Sequence, residues 1–270
     1  MPEAVAKPKG RSRRQRAAIV VAAQMHRLAL YHDIRKTMVR LFRQWRDEYL
    51  DVLDKHHEEF SLRQHQGLAH DLADEILDPE DAAERMATAL HSMNQSGLVL
   101  GGQFQRELLG ADGGTLPWTA RNDAINKYMA DYGSSRYLSV ATETHRQMTK
   151  TVADAVREQK TWKETRSLVT QKFGQMADYR SANIATTEST RLYGAGGQAF
   201  RETYNITHKQ WAASFVNTRD THADADGQIV RNDEPFRVGA DSMQFPGDGT
   251  LAEENCNCNC VSIPVFVQST

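Results

Sequence analysis

Tyr31, Ile34, Met38, Leu41 and Trp45 recur at steps of three and four residues, and Tyr49, Val52 and Leu53 carry the stripe onward. That spacing places them on one face of an α-helix. The pattern runs from about Ala17 to Phe60, far past the mean helix length of ~11–12 residues. A stripe this long is expected to lie against other long helices and not on a compact ball. The same stripe could also serve a partner interface.

Helix starts and stops recur downstream. Asp78-Pro79-Glu80-Asp81 opens a helix, with Asp78 as N-cap, Pro79 in the first helical position and acids at the positive end of the dipole. Ala83, Met86, Leu90 and Met93 form its buried side, and Gly97, Gly101 and Gly102 weaken its later turns. Gly110 to Pro117 reads as a loop, with Thr119 capping the next helix and Gly133 closing it. Ser134 or Ser135 then opens a helix with Leu138, Ala141, Met148, Val152 and Val156 as its apolar set. Thr161-Trp162-Lys163-Glu164 is a capping box that starts a short helix ending near Gly174. A further helix spans residues 179–204.

After that the period changes. Lys209, Trp211, Ala213 and Phe215 alternate with their neighbours, as in a strand, and Ile229-Val230 and Ser262 to Val267 also read as β. Turn signals around Gly227, Gly239 and Pro246-Gly247-Asp248-Gly249 separate them. Gly227 and Gly247 are expected to supply positive φ. The fold class that results is mainly α: an elongated helical body with a small α+β C-terminal module. The divisions are a basic flexible arm over 1–16, the body over 17–176 and the module over 177–270.

A chain of 270 residues that is 40% hydrophobic and 25% charged can bury one large core or two modest ones. No apolar run approaches the ~18 residues of a membrane span, so no membrane partner is expected. No apolar core and cleavage site follow the basic N-terminus, as a secretory signal would require. The net charge of −2 conceals an asymmetry, since residues 1–46 carry +10 and the remainder −12. Lys7, Lys9, Arg11, Arg13, Arg14 and Arg16 fall in one stretch without an acid, which reads either as a solubilising tail or as a contact for nucleic acid or an acidic partner.

All three cysteines, Cys256, Cys258 and Cys260, lie within five residues. On a strand they would share a face. They suit joint coordination of a soft metal such as zinc, with His222 as a further ligand and Asp224 or Asp226 as oxygen alternatives. Alternatively they are small buried residues leading into an apolar strand. His222 is read either as a ligand or as a satisfied buried histidine. The run from His222 to Gly227, with Asp233, half-matches a calcium loop, though turn chemistry accounts for it equally. An odd thiol count without a signal peptide suits a reducing cytoplasm.

An ordered set of short motifs runs through the C-terminal part. It begins with Ile184-Ala185-Thr186-Thr187-Glu188-Ser189-Thr190-Arg191, Ala195-Gly196, Lys209-Gln210-Trp211, Thr218-Arg219 and His222. It continues with Asp226-Gly227-Gln228, Pro235-Phe236, Met243, Pro246-Gly247-Asp248, Asn257-Cys258-Asn259-Cys260 and Pro264. By these motifs the last ~95 residues resemble the phage Mu protein F-like family of minor head, or head-morphogenesis, proteins. The sequence departs from the family at Phe215-Val216-Asn217, where an Asp usually precedes an Arg-Thr-Arg segment. It departs also at Asn259, commonly Arg, and at the extra thiol of Cys256.

The resemblance implies a structural protein of the virion, inside the phage head near the portal, assembled in the host cytoplasm. Its partners would be the portal protein and capsid or scaffold proteins. Its work would be assembly, DNA packaging or genome delivery. The basic arm would meet packaged double-stranded DNA or the acidic inner surface of the head, in a salt-dependent and sequence-blind contact. Glu188, Arg191, Trp211, Arg219, Asp226, Gly227, Pro246, Gly247 and Asp248 would then hold the module's shape. Glu188 would be ion-paired with Arg191 or Arg219, Trp211 buried, and Arg219 bound to loop carbonyls.

The competing class is an enzyme of the ADP-ribosyltransferase or metal-dependent hydrolase type centred on Glu188 and His222, with Asp226 and the cysteines as further candidates. The sequence has no Glu-x-Glu turn, no phosphate-binding glycine loop, no Gly-x-Ser-x-Gly and no His-Glu-x-x-His. No catalytic residue is assigned on that ground.

Overall fold

The computed structural model describes residues 8–58, 78–110, 115–119, 122–131, 135–216 and 218–265. Lys7, Asn217, Gly133 and the apolar tail beyond Val265 lie outside them. The chain divides into two compact units, one of residues 1–34, 92–130 and 183–270, the other of 35–91 and 131–182. Its long elements are helices α1 (Arg13–His26), α2 (Leu28–Lys55), α3 (Pro79–Leu108), α4 (Asp123–Asp131), α5 (Ser135–Arg157), α6 (Trp162–Gln175) and α7 (Ser181–Thr203). No helix among the described residues is long and apolar enough to cross a membrane.

In the second unit the expected stripe is the core. Met38, Trp45, Tyr49 and Leu53 of α2 are buried, together with Met86 and Leu90 of α3, Met148 and Val152 of α5, and Val169 and Phe173 of α6. Thr161 caps α6 with the reciprocal Glu164 contact that its sequence foretold. Asp78 accepts a 2.8 Å bond from the Glu80 amide at the head of α3. Three boundaries differ from expectation. The helix expected to be capped by Thr119 starts at Asp123, where Asn122 and not Thr119 accepts from the Ala124 amide at 2.9 Å. Gly174 does not end a helix; α6 continues through a π turn, Met176–Arg180, into α7. The single helix expected over residues 17–60 begins at Arg13 instead and breaks at Arg27, whose side chain is buried.

The first unit holds the small β module. A three-stranded antiparallel sheet has the order β2 (Ile229–Arg231), β1 (His208–Ala212), β5 (Val261–Val265). A hairpin of β3 (Phe236–Val238) and β4 (Asp241–Met243) stands apart from it. Because β1 is central, Lys209 through Ala212 are all buried, and simple alternation fails there. Lys209 donates to the Gln244 side chain at 2.6 Å and to its carbonyl at 2.9 Å, and burial lowers its pKa to about 7. Phe215, expected on the strand, lies beyond it and is exposed.

The glycines that weaken α3 locally are used where it crosses α7. A Cβ on Gly101 would sit 2.0 Å from the Tyr193 carbonyl oxygen, and one on Gly196 would sit 2.0 Å from that of Leu98. Backbone meets backbone at this crossing, which only glycine permits. Beside it Arg201, fully buried, donates to Gln105 at 2.8 Å, Asn232 at 2.9 Å, Gln198 at 2.8 Å and Ser262 at 3.1 Å. Four acceptors from different segments are thereby fixed by one planar guanidinium.

The basic stretch is not a free arm throughout. Ser12 caps α1 in a capping box with Gln15. The Arg11 amide donates to Gln210 Oε1 at 2.8 Å and its guanidinium to the Leu108 carbonyl at 3.0 Å. Arg16 is buried and forms a two-point pair with Asp226, Nε to Oδ1 at 3.0 Å and Nη2 to Oδ2 at 2.5 Å. The expectation of a solvated arm through residue 16 is therefore corrected for Arg11 and Arg16. Desolvating these cations is offset by the Asp226 carboxylate and by the carbonyls of Leu108 and Arg11. Lys9, Arg13 and Arg14 remain exposed, with the Arg13 guanidinium 4.5 Å from the Phe215 ring centre.

Candidate metal centre

His222 sits on α8 (Asp220–Asp224), a single short turn of helix. The preceding residue Arg219, at its N-cap position, donates to the Cys256 carbonyl. The cysteines lie between α9 (Ala252–Asn255) and β5. They are not on a strand. Asn257 adopts a left-handed backbone at φ 59°, which breaks the alternation expected of residues 256–260. Cys256 is consequently exposed, while Cys258 and Cys260 are buried. The expectation of three thiols on one face is corrected to two.

The path of this segment is set from three sides. Thr190 of α7 donates to the Cys258 carbonyl at 2.6 Å, and the Asn257 amide donates to Thr187 at 3.1 Å. Arg27, at the α1–α2 break, donates to the Asn259 side chain at 2.8 Å and to its carbonyl at 3.3 Å. Asn259 separates the two buried cysteines. A surface-type arginine is thus drawn inside to hold the loop between them.

His222 Nδ1 stands 3.4 Å from Cys260 Sγ and 3.6 Å from Cys258 Sγ. The three donor atoms all lie within 4.8 Å of one another and all three residues are buried. On the other side of the ring, Nε2 is 3.1 Å from Glu254 Oε2, which also accepts from Thr221 at 2.8 Å. Trp211 meets the imidazole edge-on at 5.6 Å and Phe236 at 5.2 Å. Trp211, Phe236, Val238, Met243, Cys258 and Cys260 share one apolar cluster.

Burial by itself would lower the His222 pKa, but the hydrogen bond and charge of Cys258, with Glu254, turn the shift upward. Cys258 is moved well down, first by the hydrogen bond from Cys260 and then by His222, against its burial. Cys260, the donor in that pair, is moved up. The arrangement favours one thiolate beside one imidazole. One nitrogen and two sulfurs facing each other form a donor set suited to a borderline-soft cation.

The oxygen alternatives are not part of it. Asp226 is held by Arg16 and by the Ala213 amide at 3.1 Å, and Asp224 is exposed at the end of α8. Asp233, the last residue of the half calcium loop, is exposed and paired with Arg231 at 3.1 Å.

The motif residues sit on the scaffold around this cluster. Glu188 pairs with Arg191 one helical turn away, and burial lowers the Arg191 pKa to about 10. Gly247, at φ 91°, brings the turn after Pro246 against the Arg191 backbone, where a Cβ would lie 3.0 Å from the Arg191 side chain. Asp248 accepts from the Gln244 amide at 3.2 Å. Gly227, at φ 87°, donates its amide to the Trp211 carbonyl at 2.9 Å. Trp211 itself is fully buried.

Two residues that matter here escape sequence reasoning. Glu254 carries no periodic signal, and Arg27 lies 232 positions away from its partner Asn259. For Glu254 alone a clue exists, since a histidine among thiols calls for a carboxylate on its other nitrogen.

The family described as phage Mu protein F like protein matches residues 143–263. The uncharacterized protein YqbB of Bacillus subtilis (strain 168) is 31% identical over 100 residues, covering 33% of this chain and 33% of that protein. The minor head protein GP7 of Bacillus phage SPP1 is 32% identical over 98 residues, 34% of this chain and 32% of that protein. The NAD(+)–arginine ADP-ribosyltransferase EFV of Enterococcus faecalis is 34% identical over 95 residues, 33% of this chain and 20% of the enzyme. The chain spans about a third or less of the length of these curated relatives. No solved structure matches it.

Proposed function

We propose that this chain, whose residues 143–263 match the phage Mu protein F-like family, is a phage minor head protein acting at the portal vertex in capsid assembly, DNA packaging or genome delivery. The observation that carries the reading is the family match together with the use the fold makes of its motifs. Glu188, Arg191, Trp211, Asp226, Gly227 and Gly247 are turned into ion pairs, core and tight turns. They maintain a shape, as an assembly component requires.

In this reading the partners are the portal protein and capsid or scaffold proteins, met in the host cytoplasm during assembly and kept in the head interior afterwards. Double-stranded DNA is met through Lys9, Arg13 and Arg14, with Lys7, which lies outside the described residues. The enzyme alternative has less support. Glu188 is paired with Arg191, and His222 faces thiols on one side and Glu254 on the other, so each candidate is already engaged by buried neighbours.

The test is co-expression with the portal and capsid proteins of the same genome. A portal complex on size exclusion, and the chain among the proteins of purified heads, are the expected results. Absence from both would sink the reading. So would turnover of labelled NAD that Glu188→Gln abolishes.

A further inference from the structure

We propose that His222 Nδ1, Cys258 Sγ and Cys260 Sγ hold a zinc ion, with Glu254 orienting the imidazole from behind. The ion fastens α8 to the segment that leads into β5. This stands whether or not the chain works at a portal.

The distances carry the argument. Zinc bonds of about 2.3 Å to sulfur and about 2.0–2.1 Å to nitrogen, in a tetrahedron, give nitrogen–sulfur edges of about 3.6 Å. The two edges in the structure are 3.4 and 3.6 Å. A hydrogen bond can span the same gap. One ring N–H, however, cannot point at two sulfurs at once with good geometry, whereas one metal ion between the three donors satisfies both edges together.

The far side of the ring supplies an independent observation. Glu254 Oε2 lies 3.1 Å from Nε2 without hydrogen-bond alignment, and its negative charge favours the proton on that nitrogen. The Nδ1 lone pair is then aimed at the sulfurs. A carboxylate behind a histidine is the usual outer support of a metal-bound imidazole. Thr221 donates to Glu254, which keeps the carboxylate on that side of the ring.

Donor chemistry selects the ion. Two thiolates and an imidazole suit zinc and disfavour calcium or magnesium, which take oxygen. Zinc would also neutralise two buried thiolates in a cluster otherwise lined by Trp211, Phe236 and Met243. Among the described residues three donors converge, His222, Cys258 and Cys260. Cys256, exposed, is outside the set.

The experiment uses the full chain, expressed in zinc-supplemented medium and purified without chelator. About one zinc per chain is expected by elemental analysis. Cobalt exchanged into the site should give a thiolate charge-transfer band and the intense visible bands of a tetrahedral centre. Cys258→Ser and Cys260→Ser should lose the charge-transfer intensity, and Cys256→Ser should keep it. Glu254→Gln leaves every ligand in place and should weaken zinc about 10- to 100-fold, read by competition with a chromophoric chelator. That arm retains a readout if the cysteine variants fail to fold. A folded wild-type chain that binds neither zinc nor cobalt would overturn the assignment. Equal loss of the band in all three cysteine variants would also overturn it.

Discussion

The two units reach a buried interior by different means. In the unit of residues 35–91 and 131–182, apolar side chains at helical spacing form the core, and charge stays outside in pairs such as Glu143–Arg146 and Lys150–Asp154. In the other unit, charge and hydrogen bonding come inside. Arg201, Lys209 and the Arg16–Asp226 pair are buried, and glycines replace side chains where α3 crosses α7. A pattern of apolar residues can be met by many sequences. A buried polar lattice cannot, because each unpaired member costs free energy. The second kind of interior specifies one arrangement more narrowly, and the ordered motifs from Ile184 to Pro264 fall there.

Substitutions can break or sharpen that contrast. Arg16→Met leaves the Asp226 carboxylate buried without its partner and should cost about 3–5 kcal/mol, read as a fall in the urea midpoint of the full chain. A loss below about 1 kcal/mol, as for a surface pair, would erase the distinction. Gly101→Ala forces a methyl group onto the Tyr193 carbonyl and should cost about 1–3 kcal/mol, although alanine is the better helix former. Gly174→Ala in the other unit meets nothing within 4 Å, so the same exchange should raise stability by about 0.5–1 kcal/mol. Opposite signs for these two changes, measured by thermal melting, are the sharpest form of the comparison.

Glu143→Gln should be smallest, within about 0.5 kcal/mol of wild type at neutral pH. Hydrogen bonds from Arg146 and Gln147 hold this carboxyl down to about 2. Its contribution is therefore present above the ordinary glutamate range of ~4.3. It fades as pH falls toward 2, because the unfolded chain takes up the proton first. Melting curves of the variant and wild type should converge over that interval.

The helical unit was largely legible because its signals are local. The Met38–Trp45–Leu53 stripe and the Thr161–Glu164 box each act within a few turns. Gly174 misled because a glycine in a helix marks an end only when the backbone turns left-handed, and here it does not. The convergence of His222, Cys258 and Cys260 was legible in residue type alone. Their geometry was not, since Asn257 at positive φ turns Cys256 outward. Arg16 could not be read as buried from its neighbours. Its partner Asp226 is 210 positions away, and nothing in a basic run distinguishes the one residue that a carboxylate will claim.

The order of the sheet has a bearing on how the protein is made. β1 lies between β2 and β5, so on a ribosome it exists for about 50 residues of further synthesis before Val261–Val265 arrive to cover its second edge. During that interval a strand with one row of unpaired backbone groups is open to a like strand of a neighbouring nascent chain. Crowded synthesis should therefore favour mispairing at β1, and slowing translation or diluting the transcript should raise the folded yield. The helices, whose backbone hydrogen bonds close within four residues, should form indifferently to either change.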